Sequence, residues 1–374
     1  MKLSDKNVAV WGNFFGDEGK AAVVHHFSKN FDVVIRSGGS SNAGHTIYHK
    51  GTKIVRHLIP SADFSTNNLA FLSSCMVINP EELLSEIKDT LKIFPNAAKN
   101  IIVDPDAFIV FDKHVQEDKE KNKHIGSTNK GVGPAYRDKI GRVGTKLRSL
   151  IIDNAPVILA LKELGVSFQY VSELRSIFEE SKLLFEGSQS ILLDYNFGAY
   201  PFVTSGQCSL AGIIDGGFAF AMPEKNYGIC KPYSTKSGGG PFPTEYFGDM
   251  DNNLREKGSE FGATTGRNRR TGALDLPALN YSIEKGGITN LIFTKLDILN
   301  GHKSIKVCTA YDKPMYCGSD LMTAKPTYID LPGWEDAKNI EQIKPFISYV
   351  ESFTGLTIEY VSSGVNPEDM VKLK

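Results

Sequence analysis

Short runs that are apolar on both faces recur along the chain, at 7–11, 32–35, 70–72, 100–103, 107–111, 183–186, 290–295 and 304–311. A strand that hides both faces has to lie between two layers of helices, as in a parallel sheet, whereas a strand with one solvated face alternates apolar with polar residues. Helix-length amphipathic stretches at 80–93, 155–164, 173–182, 277–285 and 340–353 supply those layers. This order predicts an α/β fold: one large domain over 1–374 around a single wide, mostly parallel central sheet. Gly/Ser-rich interruptions at 37–41, 126–133, 237–240 and 262–272 are too short to act as interdomain linkers, and no internal repeat is present.

Charge narrows the partners. Among 374 residues, 42 Lys+Arg face 43 Asp+Glu, a formal net charge of −1. Such a chain has no overall field for holding a polyanion, so neither nucleic acid nor a membrane surface is expected as a partner. The five cysteines, 75, 208, 230, 308 and 317, are widely spaced without a C-x-x-C pair, which favours reduced, structural thiols. The start passes directly into a strand-like run, and no stretch of about 18 apolar residues occurs, so a cytoplasmic protein is expected. The lysine-rich stretch 118–123 is most simply a solvated face.

Five loops carry the chemistry. Gly12-Asn-Phe-Phe-Gly-Asp-Glu-Gly-Lys20 follows the opening strand and enters a helix. Glycines, a helix N-terminus and a lysine suit phosphate, but the spacing is not that of a Walker A loop. A carboxylate there repels phosphate unless it binds a cation or moves a proton, so Asp17 points to Mg²⁺ or base chemistry. His45 ends a small-residue loop, Gly38 to Gly44, where an imidazole can protonate or stabilise an oxygen gaining charge. The loop from Gly126 to Tyr136, with Arg142 beyond it, has the hydroxyls and cations of a phosphomonoester site. The loop 262–272 combines three arginines with hydroxyls, as carboxylate or phosphate recognition requires. Thr294-Lys-Leu-Asp297 can flank a purine with lysine and accept its N–H groups on aspartate. Each loop alone could be an ordinary turn.

Together, Gly16-Asp-Glu-Gly-Lys20, Asn42-Ala-Gly-His-Thr46, His57-Leu-Ile-Pro-Ser61, Gly131-Val-Gly-Pro-Ala-Tyr136, Phe185-Glu-Gly-Ser-Gln189, Tyr200-Pro-Phe-Val-Thr-Ser205, Gly240-Pro-Phe-Pro-Thr-Glu245, Phe261-Gly-Ala-Thr-Thr-Gly-Arg267 and Thr294-Lys-Leu-Asp297 resemble adenylosuccinate synthetase, in family order over nearly the whole chain. The resemblance implies a P-loop-like GTP-binding fold with insertions. It also implies a purine-biosynthetic ligase that phosphorylates O6 of a 6-oxopurine nucleoside monophosphate and then displaces the phosphate with the amine of L-aspartate. By resemblance, Asp17 takes the N1 proton and binds Mg²⁺ with the Gly44 carbonyl, and His45 stabilises charge at O6. Lys20 and Gln189 assist catalysis. Gly16, Glu18, Gly19 and Lys20 cradle the triphosphate, while Lys295 and Asp297 read the guanine of GTP under Ser362, Ser363 and Gly364. ATP or dATP could replace GTP. Asn42, Thr128, Gln189, Thr204 and Arg267 hold the purine monophosphate, with Arg142 reaching it across a homodimer interface. Thr264, Thr265, Arg267 and Arg269 clasp aspartate.

Departures from the family pattern bear on the base. Ala21 and Ala22 replace a glycine and a cation, Ser40 and Ser41 replace glycines, and Asn196, Cys208, Ser209 and Asn268 stand at further altered positions. A phage sub-branch that makes 2-aminoadenylosuccinate from GMP or dGMP is similar in its compactness and drift. This tips the expectation narrowly toward a guanine nucleotide over IMP, with host cytoplasm as the location for a phage-encoded chain. Asp17, which many dGMP-using members have replaced, speaks against full specialisation. An inactive nucleotide-binding relative is the remaining alternative.

Overall fold

A computed structural model describes residues 5–122, 125–262 and 266–373. Its centre is a ten-stranded sheet in the order Met370–Lys372, Ile358–Ser362, Asn290–Phe293, Lys225–Cys230, Asn7–Gly12, Leu183–Ser190, Val33–Arg36, Leu69–Leu72, Ile101–Val103 and Ser167–Phe168. Every neighbouring pair is parallel except the outermost, Ile358–Ser362 with Met370–Lys372. Along the first strand Val8 and Val10 enter one hydrophobic core and Ala9 and Trp11 the other. The period-2 alternation of a strand therefore sends side chains into two separate cores, which is why the run is apolar throughout.

The expected single sheet is joined by smaller ones, among them the two-stranded pairs His45–His49 with Thr52–Arg56 and Val77–Ile78 with Phe108–Ile109. Tyr233–Lys236, Arg270–Asp275, Ser304–Tyr311 and Pro326–Pro332 form a second, four-stranded sheet. The run 304–311 belongs to it, as its exposed Ser304, Lys306 and Ala310 allow. Of the run 107–111, only Phe108–Ile109 is a strand. Among the described residues no helix is long and apolar enough to cross a membrane. Four of the five cysteines are buried, only Cys317 is exposed, and all five are free.

Ligands of open parallel sheets gather beyond the carboxyl ends of the strands, where successive loops splay apart. Here those ends release the loops singled out above. Asn7–Gly12 leads to the phosphate-type loop and helix Lys20–Ser28, and Val33–Arg36 leads to the small-residue loop ending at His45. Leu183–Ser190 carries Gln189, Asn290–Phe293 runs into Thr294 and Lys295, and Ile358–Ser362 ends at Ser362.

Candidate active site

The carboxyl ends enclose one cavity of about 1450 Å³, lined by Gly16, Asp17, Gly19, Lys20, Asn42, Gly44, His45, Thr128, Gln189, Thr204, Arg267, Arg269, Lys295, Asp297, Ser362 and Gly364. It exceeds the roughly 300–1,000 Å³ of a pocket for one drug-sized ligand, so it has room for more than one reactant. Asp17 and His45, 28 positions apart in the chain by their numbers, thus face one space.

The phosphate-type loop is built by close approach. A Cβ on Gly12 would collide with Ser190 Oγ and the Glu18 carboxylate, so only glycine lets the loop fold back on the strand. Gly19 caps the helix in the left-handed conformation, at φ 89°, and the first turn has neither a side-chain cap nor an acidic residue. Unclaimed N–H groups and the positive end of the helix face the cavity there. Lys20 Nζ lies 3.3 Å from Glu18 Oε2 and 3.5 Å from Ser190 Oγ.

The Glu18 side chain is turned away from the cavity, so its carboxylate does not face a phosphate there. It is 1 % exposed, and its Oε1 accepts from the Phe14 and Gly16 N–H groups at 3.1 and 2.9 Å while Ser190 Oγ donates to Oε2 at 2.7 Å. Burial works against its charge, but Lys20 and the hydrogen bond from Ser190 outweigh that and hold it below the ordinary carboxylate range. It braces the loop. Asp17 also takes a left-handed backbone, at φ 65°. Arg269 clasps both its oxygens, Nη2 to Oδ1 and Nε to Oδ2 each at 2.8 Å, and Ser237 Oγ donates to Oδ2 at 3.3 Å.

His45 is held from behind. Its Nδ1 lies 2.5 Å from Glu186 Oε1 and its Nε2 lies 3.1 Å from the Ser188 carbonyl. Glu186 is fully buried, accepts from the Ser61 N–H and Oγ at 2.7 Å each, and lies 3.4 Å from Arg36 Nη1. Burial alone would raise its pKa, but His45, Arg36 and the Ser61 N–H prevail and bring it to about 2. Burial and Arg36 push the His45 imidazole below its ordinary value, against the pull of Glu186. Arg36 Nη1 also lies 2.6 Å from Nδ1, so that nitrogen is engaged by the Arg36–Glu186 pair, and Nε2 is the nitrogen from which the ring can donate.

The sign of the linkage is testable. A carboxyl whose pKa falls from 4.5 to about 2 on folding contributes stability that is complete above 4.5 and lost as pH drops toward 2. Denaturant titrations between those limits should show a shallower loss for Glu186→Gln than for the parent. Parallel losses in the two proteins would mean that Glu186 is not the source.

A second buried carboxylate organises the opposite wall. Glu260 Oε1 accepts from Lys231 Nζ at 3.0 Å, Tyr233 OH at 2.6 Å and Lys295 Nζ at 2.8 Å, while Oε2 accepts from Arg269 Nη1 at 2.6 Å. Burial opposes its charge, yet Lys231, Lys295 and Arg269 keep it ionised far below the ordinary range. Burial meanwhile lowers Lys231 to about 8. Neither Glu186, inside the run Phe185–Gln189, nor Glu260, just before Phe261, has a role in the sequence expectation, because a lone glutamate carries no spacing signal.

Several acceptors in the cavity wall have no partner in the protein: Asn42 Oδ1, Gln189 Oε1, Gln207 Oε1 and Asp297 Oδ1 are buried and unbonded. Buried polar atoms are nearly always satisfied, so these await donors from a ligand. Burial raises the Asp297 pKa above its ordinary value. Asp17 and the Gly44 carbonyl offer the hard oxygen donors that Mg²⁺ takes.

Other expectations shift. Arg142 is exposed, at φ 63°, and does not line the cavity of its own chain. Ser363 is buried beside the cavity but not in its lining, its N–H bonded to the Asp369 carbonyl. Thr264 and Thr265 lie outside the described residues. The stretch 118–123 is not simply a solvated face. Asp118 is 2 % exposed and binds Ser127 Oγ, Asn122 Nδ2 and the Gly131 N–H, anchoring the loop that carries Thr128, and Lys121 and Asn122 line the cavity.

The chain is similar to known proteins over nearly its whole length. A family model described as Adenylosuccinate synthetase matches residues 9–164 and 161–371. The adenylosuccinate synthetase of Petrotoga mobilis is 38% identical, with 98% of this chain and 97% of that one covered. That of Thermotoga maritima is 37% identical over 98% and 100% of the two. The fully ligated Plasmodium falciparum adenylosuccinate synthetase superposes with a TM-score of 0.87 at 29% identity, covering 99% and 100% of the chains. The cyanophage S-2L succinoaminodeoxyadenylate synthetase, solved with dGMP and dATP, gives 0.73 at 18% identity over 99% and 96%, a likeness of fold.

Proposed function

Because the chain belongs to the adenylosuccinate synthetase family of C–N bond-forming ligases, we propose that it joins the amine of L-aspartate to C6 of IMP, driven by GTP with Mg²⁺, giving adenylosuccinate. The observation that carries this reading is the meeting of Asp17, His45, Lys20 and Gln189 with Lys295 and Asp297 in one cavity. In the first half-reaction Asp17 takes the N1 proton as O6 attacks the γ-phosphoryl group and GDP departs with the broken β–γ bridge bond, and His45 Nε2–H meets the negative charge that gathers at O6. Lys20 and the helix N–H groups hold the triphosphate. Asp17 and the Gly44 carbonyl would hold Mg²⁺, which offsets charge on the phosphates. In the second half-reaction the aspartate amine attacks C6, the C6–O6 bond breaks, inorganic phosphate leaves carrying the proton given up by the amine, and Arg267 and Arg269 hold the carboxylates. Asn42, Thr128, Gln189 and Thr204 grip the nucleotide, and Asp297 accepts from the guanine of GTP.

The placement of the altered residues supports IMP over a guanine monophosphate as the substrate in this reading. The altered residues Ser40, Ser41, Asn196, Cys208, Ser209 and Asn268 are not in the cavity lining, and Ser40, Ser41 and Cys208 are buried behind it. Ala21 and Ala22 do line it, at the start of the phosphate-end helix. Relatives 37–38% identical carry the adenylosuccinate synthetase name. A matrix of IMP, GMP and dGMP against GTP, ATP and dATP, with product mass and aspartate-dependent phosphate release as readouts, should give adenylosuccinate with IMP and GTP as the best pair. Faster turnover of GMP or dGMP would replace IMP in this reading.

A homodimer accounts for Arg142. It stands in an exposed segment with Ile140, Val143 and Ile152, which are 77%, 71% and 75% exposed, a surface suited to a second copy that would receive the guanidinium at its IMP phosphate. Sedimentation as a monomer at assay concentration would remove Arg142 from the site.

A further inference from the structure

We propose that His25, His49 and Asp63 form a second metal site, outside the reaction cavity, for one divalent ion of the zinc class. His25 lies in helix Lys20–Ser28, His49 ends strand His45–His49, and Asp63 follows in a loop hung on the helix by a 3.0 Å bond from its N–H to Ser28 Oγ. One ligand atom from each lies within 4.8 Å of the others, and His49 Nδ1 is 3.6 Å from Asp63 Oδ1. Ligand atoms at the corners of a tetrahedron with bonds of ~2.0–2.1 Å stand about 3.3 Å apart, so small side-chain rotations close the set.

Independent details point to a ligand. His25 is 3 % exposed, and its Nδ1 is buried with no hydrogen-bond partner. Ser65 N–H and Oγ fix Asp63 Oδ1 at 3.0 and 2.7 Å. The His49 and Asp63 side chains are 14% and 18% exposed, leaving a fourth position open to solvent. Arg56 acts against positive charge at His25.

Two imidazoles and one carboxylate suit Zn²⁺, whereas Mg²⁺ seeks oxygen. The ion would pin the helix that begins at Lys20 to the strand that begins at His45, so both cavity residues would share a brace outside the cavity.

The test uses the untagged full-length chain, stripped with a chelator and titrated with Co²⁺ and then Zn²⁺ in excess Mg²⁺. One equivalent of Co²⁺ should bind with the visible bands of an imidazole-coordinated ion, and Zn²⁺ should displace it. His49→Ala and Asp63→Asn should each weaken uptake at least about tenfold, and Zn²⁺ should raise the melting temperature of the parent but not of these variants. Asp17→Asn should retain uptake. No bands in the parent, equal uptake by both variants, or loss of uptake with Asp17→Asn would each overturn the site.

Discussion

Asp17→Asn is expected to lower turnover by about 10³-fold or more while IMP and GTP still bind. General-base transfer alone contributes about 10²–10⁴-fold, and the same carboxylate would also hold Mg²⁺. Asparagine is the better replacement for a physical reason. Position 17 has φ 65°, where asparagine is tolerated and alanine is strained by roughly 1–2 kcal/mol. Arg269 keeps its bond to Glu260 when the Asp17 charge is removed, so the wall should stay ordered. Turnover read as aspartate-dependent phosphate release, beside calorimetric binding of each nucleotide, separates chemistry from affinity. Near-parental turnover would remove Asp17 as the base, and loss of binding with turnover would make its role structural.

The second large effect is at the imidazole. His45→Asn should reduce kcat by about 10²–10⁴-fold with little change in the KM for IMP, since the ring meets charge that forms only as the phosphoryl group transfers. Glu186→Gln should act in the same direction but less strongly, because it leaves the ring in place while removing the carboxylate that orients it, 2.5 Å away. Its pH–rate profile should move as well, whereas a purely packing role would leave that profile alone. An unchanged kcat in His45→Asn would exclude the assigned role.

What could be read in the sequence was whatever is encoded locally. The phosphate-type loop, the His45 loop and Thr294–Asp297 each follow an apolar run within a few residues, and all three open on the cavity. Strand Lys225–Cys230 escaped the same scan although it pairs directly with Asn7–Gly12. It begins with Lys225 and Asn226, whose polarity is satisfied only at long range: Lys225 by Glu359, and Asn226 by the carbonyls of Gly286 and Gly287. Its Gly228 makes room for the Asn13 side chain. Ile358–Ser362 was hidden in the same way, with Glu359 in its middle taking Lys225, Tyr227 and Asn290. Polar residues in a buried strand lower its apolar signal, and their partners are invisible until the fold brings them together. Glu186 and Glu260 were unreadable for the same reason.

Glu260 touches more than one reactant's territory at once. Its two oxygens tether Lys295, proposed to flank the nucleobase of the energy donor, and Arg269, proposed to grip the amino acid, while Arg269 in turn clasps Asp17. Two recognition events are therefore moored to a single negative charge, so a substituent that tugs on the lysine is felt by the arginine without any change in backbone shape. Selectivity for donor and for nucleophile would then have to evolve together.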